Sequence, residues 1–132
     1  MIRNCPGFRT NEMQKKKILV ADDSASIRRF VEVVLEKAGY EILIAEDGRE
    51  ALKLAFENDI DAVVADALMP NLSGDELFRN LKTYPEKKNI PLIMLSGLAE
   101  STARPADSVA DAFLMKDTGL KENLLSAVKR LV

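Results

Sequence analysis

The sequence predicts an α/β fold, a five-stranded parallel sheet with helices on both faces. Three observations carry this expectation. Five short apolar runs recur along the chain: Ile18 to Ala21, Ile42 to Ala45, Ile60 to Ala65, Pro91 to Leu95 and Ala112 to Met115. Nearly continuous apolar runs of this length belong to strands buried on both faces. Stretches with helical spacing separate most of them, and such a βα alternation implies parallel strands joined by helical crossovers. With 132 residues, the chain can bury one sizeable core but not two comfortable ones.

Taken in order, residues 1–14 (MIRNCPGFRTNEMQ) have no apolar period and contain a Pro-Gly pair. They read as a flexible tail ahead of a domain spanning residues 15–132. Lys15 to Lys17 form a solvated edge leading into the first strand. Ile27, Phe30, Val31, Val34, Leu35 and Ala38 then follow helical spacing, and Gly39 stands where a helix C-terminus favours a positive φ. After the second strand, Asp47 and Glu50 have capping-box spacing, with Asp in place of Ser or Thr. They open a helix expected to carry Ala51, Leu52, Ala55 and Phe56 inward. After the third strand, Ser73 and Glu76 make a second capping box, for a helix with Leu77, Phe78 and Leu81 that ends by Pro85. Leu120, Leu124, Leu125, Val128 and Leu131 form the inner face of the last helix.

One stretch breaks the pattern. Leu98 to Asp111 (LAESTARPADSVAD) should hold a helix, yet it has few large apolar residues and contains Pro105. Proline in a helix interior costs about 3 kcal/mol. A short, irregular element is expected there, either locally disordered or ordered by a partner.

Composition removes several classes of function. Hydrophobic residues make up 47% and charged residues 30%, as in ordinary soluble domains, and a net charge of -2 argues for neither a nucleic-acid nor a membrane partner. No apolar stretch approaches the roughly 20 residues needed to span a bilayer, and the N-terminus lacks the apolar core of a secretory signal. The lone Cys5 cannot form an internal disulfide, which fits a cytoplasmic location. The chain has no histidine, which excludes Ser-His and Cys-His catalysis, His-containing zinc sites and a phosphohistidine on this molecule.

The ends of four apolar runs carry the functional signal. The first stops at Asp22 and Asp23, the third at Asp66, the fourth at Ser96 and the fifth at Lys116. In open parallel sheets the ligand site lies outside the carboxyl ends of the strands. Three carboxylates, a hydroxyl and an ammonium therefore converge on one pocket if these strands are neighbours. Clustered carboxylates raise one another's pKa unless a cation sits among them, and an all-oxygen set suits Mg²⁺.

These residues resemble the receiver domain of bacterial two-component response regulators over about Lys17 to Val132. The resemblance includes VADDS after the first strand, VVADALMPNLSGDEL around Asp66, IPLIMLSG before and through Ser96, and FLMK ending at Lys116. It implies a flavodoxin-like, doubly wound sheet of strand order 2-1-3-4-5. By the same resemblance Asp66 is the phosphoacceptor. Asp23 and Asp66 would hold Mg²⁺ directly, Asp22 partly through water, and the backbone carbonyl of Leu68 would be a further ligand. Lys116 would balance the phosphoryl charge, Ser96 would hydrogen-bond a phosphoryl oxygen, and Phe113 would follow Ser96 as a switch. The donor would be a histidine kinase or a phosphohistidine relay protein, with an unspecified downstream protein as receiver of the signal. Homodimerisation through the fourth and fifth helical regions is left open.

The chain departs from the family pattern at several positions. Asp117 follows Lys116 where the family usually has proline, which places the customary cis bond in doubt and adds a carboxylate beside Lys116. Leu68 and Leu98 stand two residues after Asp66 and Ser96, and both are apolar where the attacking water would pass. They are expected to shield an acyl phosphate and lengthen its life. Phe113 lacks the hydroxyl of the tyrosine often found there, so a switch would act by packing alone.

Two other classes compete. One is a phosphorylation-independent interaction module that has kept the fold. The other is a phosphohydrolase of the haloacid dehalogenase type, which needs a second Asp two residues after its nucleophile. Here Ser24 follows Asp22 at that spacing and Ala25 follows Asp23.

Overall fold

The computed structural model describes residues 15–97 and 109–132. Its elements run β1 (Lys17–Ala21), α1 (Ala25–Lys37), β2 (Glu41–Ala45), α2 (Gly48–Glu57), β3 (Ala62–Asp66), α3 (Gly74–Lys82), β4 (Leu92–Ser96), β5 (Ala112–Met115) and α4 (Leu120–Leu131). The strands form one sheet of order β2-β1-β3-β4-β5 in which every pair is parallel. This is the doubly wound, flavodoxin-like order.

Side chains alternate across each strand, so the sheet builds two cores. Ile18, Val20, Val64, Ile93 and Leu95 pack with Val31 and Leu35 of α1 and Leu124 and Val128 of α4. Leu19, Ala21, Val63, Leu92 and Met94 pack on the other face with Ala51 and Ala55 of α2 and Leu77, Phe78 and Leu81 of α3. Both faces of β3 and β4 are therefore dry, which is why these segments read as unbroken apolar runs.

Local chemistry ends the elements where the sequence suggests. Gly39 adopts φ +101°, and α1 closes with Gly39 N–H donating to Glu36 and Tyr40 N–H to Leu35. This is a Schellman closure, in which a left-handed residue satisfies carbonyls that the helix leaves open. Ser73 and Glu76 form the reciprocal capping box of α3. At α2 only half of the expected box forms. Asp47 accepts from Glu50 N–H at 2.8 Å, but with Asp47 fully extended, Glu50 accepts instead from Glu46 N–H at 2.7 Å.

The opposite end of the sheet, where the strands begin, uses aspartates whose role the sequence does not reveal. Asp61 stands just before β3 and accepts the leading amide of β1 from Lys17 at 2.8 Å. Asp111 stands just before β5 and accepts the leading amide of β4 from Leu92 at 2.8 Å. β3 begins at Ala62 rather than at Ile60, which is buried but lies outside the strand.

Three apolar residues do not face inward as expected. Phe56 is 40% exposed, because helical rotation of ~100° per residue carries it about 140° away from Ala51. It packs edge-on against Tyr84, with ring centroids 4.6 Å apart. Phe30 is exposed because it lies at the margin of the stripe formed by Val31, Val34 and Leu35, whereas Ala38 is in line with that stripe but is exposed as the C-cap, beyond the last helical residue Lys37. The expected tail over residues 1–14 and most of the irregular stretch, residues 98–108 with Leu98, lie outside the described residues. Among the described residues no helix is long and apolar enough to cross a membrane.

Candidate functional site

Strand register brings the predicted residues level with one another. Ala21 pairs with Ala65, Asp66 with Leu95, and Ser96 with Met115. The next residues in line, Asp22 after β1 and Lys116 after β5, thus flank Asp66 and Ser96 at one end of the sheet. A backbone hydrogen bond from Lys116 N–H to the Ser96 carbonyl, 2.8 Å, ties the last two strand ends together.

Lys116 makes the central contact. Its Nζ lies 2.9 Å from Asp66 Oδ2 and 3.2 Å from Asp22 Oδ2. Asp22 is wholly buried and Asp66 is 4% exposed, whereas Asp23 is exposed. Asp22 Oδ1 accepts from Ser24 N–H at 2.8 Å, and its carbonyl accepts from the Arg28 guanidinium at 2.9 Å. Among the described residues Asp22 Oδ2 has no aligned hydrogen-bond donor, and the Lys116 charge compensates it.

The electrostatics follow from crowding and burial. Burial raises the Asp66 pKa above its ordinary value, and the neighbouring Asp22 charge adds to this, while the Lys116 hydrogen bond only partly opposes them. Burial also disfavours the charged Lys116. The hydrogen bond to Asp66 and the Asp22 and Asp66 charges outweigh it, so the ammonium is held above the usual lysine value. The site keeps its lysine charged and strains its central carboxylate.

The donor set fits a hard divalent cation. One carboxylate oxygen from each of Asp22, Asp23 and Asp66 can be chosen so that all lie within 4.8 Å of one another. Three carboxylates face one ammonium, an excess of two negative charges when all are ionised. Oxygen-only ligation by carboxylates and water is the usual environment of Mg²⁺. The Leu68 carbonyl accepts no backbone hydrogen bond among the described residues, so it is free to take part.

The remaining candidates range from buried to exposed. Ser96 is 1% exposed at the end of β4, and its Oγ donates to the Gly97 carbonyl at 3.3 Å. Phe113 lies opposite Met94 and is partly buried against the core under α2 and α3. Leu68 is 58% exposed, and its N–H donates to Asp66 Oδ1 at 3.4 Å. Asp117 does not crowd Lys116 as expected. Its Oδ1 accepts from Gly119 N–H at 2.9 Å, which draws the carboxylate into the turn leading to α4. Every peptide bond among the described residues is trans, that of Lys116 and Asp117 included.

Arg28 and Gly74 belong to the site without standing out in the sequence. Arg28 has the look of an ordinary helix-surface residue, and only the fold brings it to the Asp22 carbonyl. Gly74 lies so close to the end of β3 that an added Cβ would stand 2.5 Å from the Asp66 carbonyl oxygen and 2.7 Å from Met94 Sδ. A glycine directly after the capping serine is the one signal of this in the sequence.

Comparison with known proteins agrees with this geometry. The response regulator receiver domain family matches residues 18–129. The chain is 39% identical over 114 residues to the probable transcriptional regulator ycf27 of Galdieria sulphuraria, covering 85% of this chain but 44% of that protein. It thus spans less than half the length of that relative. The solved chemotaxis response regulator CheY4 of Vibrio cholerae matches with a TM-score of 0.80 and 32% identity, covering 90% of this chain and 100% of that one. The response regulator TrrA of Thermotoga maritima, solved in complex with Mg²⁺-BeF, matches with a TM-score of 0.79 and 37% identity, covering 89% and 99% of the two chains. With sheet order, strand-end residues and the family match in agreement, the chain belongs to the response regulator receiver domain family.

Proposed function

We propose that this receiver accepts a phosphoryl group on Asp66 from a phosphohistidine of another protein, a histidine kinase or a relay protein, in the cytoplasm. The observation that carries this reading is Lys116 Nζ bridging the buried Asp66 and Asp22 carboxylates at 2.9 and 3.2 Å. Buried, perturbed ionisable clusters of this kind are concentrated at functional sites.

An oxygen of the Asp66 carboxylate attacks the donor phosphorus, the phosphorus–nitrogen bond breaks, and an acyl phosphate forms. Lys116 follows the incoming charge, because its ammonium already rests on the attacking carboxylate. Ser96 donates its hydroxyl to a phosphoryl oxygen, and Phe113 moves into the space Ser96 leaves. Asp22, Asp23, Asp66 and the Leu68 carbonyl would hold Mg²⁺, which when bound neutralises charge developing on the phosphoryl oxygens. The altered face around β5 then binds a downstream protein differently.

Acetyl phosphate with Mg²⁺ tests the reading directly. Wild type should gain one Mg²⁺-dependent phosphoryl group, read by intact mass, and Asp66→Ala should gain none. Turnover of small phosphoesters would instead mark a phosphohydrolase. No labelling would mark a module that works without phosphorylation.

A further inference from the structure

The loop after β3, residues 67–73, carries the Leu68 carbonyl and is held from both sides. Gly74 abuts the Asp66 carbonyl at one end. At the other, Gly48 opens α2 so close to the loop that an added Cβ would collide with the Leu72 carbonyl oxygen and lie 2.7 Å from Leu72 Cβ. Beside it, Asn71 Nδ2 donates to Asp47 Oδ2 at 3.1 Å. Asn71 reaches this position with φ 70°, a left-handed conformation that asparagine tolerates better than most residues. The other Asp47 oxygen is engaged in capping α2.

Strand order gives this contact its meaning. β2 and β3 lie on either side of β1. A bond between the loops that follow them therefore links the two neighbours of the strand end bearing Asp22 and Asp23. The geometry points to Asp47, Gly48 and Asn71 as a latch that sets the Leu68 backbone against Asp23 and Asp66, and so sets the affinity of the site for Mg²⁺. They are positioning residues, not ligands, and the inference rests on the Mg²⁺ reading given above.

The test uses the whole 132-residue protein. Asp47→Ser keeps a good helix cap but is too short to reach Asn71. Asn71→Gly keeps the left-handed backbone but removes the donor. Each should weaken Mg²⁺ binding, measured by titration calorimetry, about fivefold, the scale of one net hydrogen bond. The double variant should lose about the same fivefold, because both changes remove one bond. Gly48→Ala favours the helix itself but displaces Leu72, and should weaken binding at least as much. In the metal-free protein, amide exchange at Leu72 and Gly74 should quicken in all of them.

Unchanged Mg²⁺ affinity in the variants, even with a lowered melting temperature, would overturn the latch while leaving the site intact. Losses that multiply in the double variant would also overturn it. A wild type that binds no Mg²⁺ would overturn both the metal reading and the latch.

Discussion

Asp66 is buried beside Asp22 and leans on Lys116, and burial is the larger influence on it. Its raised pKa means that folding disfavours its ionisation. The unfolded chain therefore ionises Asp66 first as pH rises, and from there upward the native state is penalised. Metal-free Asp66→Asn, which keeps an acceptor for Lys116, should melt above wild type at pH 7. The gap should close in acid, below the usual carboxylate range, where Asp66 is neutral too. Thermal melts across pH check this, and a gap that widened in acid would refute the assignment. Leu68 is 58% exposed beside the site, and under the proposed phosphorylation of Asp66 it would stand where attacking water approaches. Leu68→Asn should shorten the life of the acyl phosphate by admitting water, and equal loss of label from both proteins would sink the idea. The kinds of residue at the strand ends are legible in the sequence. The reach of Lys116 to two carboxylates is not, because it depends on the register of non-adjacent strands.

At the scale of elements, polar caps decide where chains turn and so where site loops begin. In α3, Ser73 Oγ accepts from Glu76 N–H at 3.2 Å, and Glu76 accepts from Ser73 N–H at 3.0 Å. This box opens the helix that anchors the loop after Asp66. Ser73→Ala should cost about 1 kcal/mol and lower the melting temperature by about 4 °C, with Glu76→Gln nearly neutral. Calorimetry of the two variants separates the cap from general helix propensity. Capping and Schellman signals are local, so the roles of Ser73, Asp47 and Gly39 can be read from residue type and spacing alone. Phe56 is legible only in part. Its rotation away from Ala51 is readable from spacing, but its partner Tyr84, which arrives 28 residues later, is not. Asp61 and Asp111 carry no local signal because their partners are the first amides of neighbouring strands.

At the scale of the molecule, the sheet gathers Asp22, Asp23, Asp66 and Lys116 at one end, with an excess of negative charge, and closes both faces with apolar layers. Any ligand that relieves that charge must stabilise the fold through linkage. Mg²⁺ at a hundred times its dissociation constant should add about 2.7 kcal/mol, seen as a rise in melting temperature. Asp66→Asn should blunt the rise, and a melting temperature indifferent to Mg²⁺ in wild type would exclude cation binding at these carboxylates.

By itself the sequence determined which segments are strands and helices, where most of them end, and which polar residues stand at the strand ends. Those features are set by periodicity and by side chains acting on their own backbone. Only the tertiary structure decided that Lys116 spans Asp22 and Asp66, that Asp117 is drawn away, and that Gly48 and Asn71 hold the loop beneath Leu68. These depend on strand order and register, which arise from packing two whole faces of the sheet and leave no mark within a short window of residues.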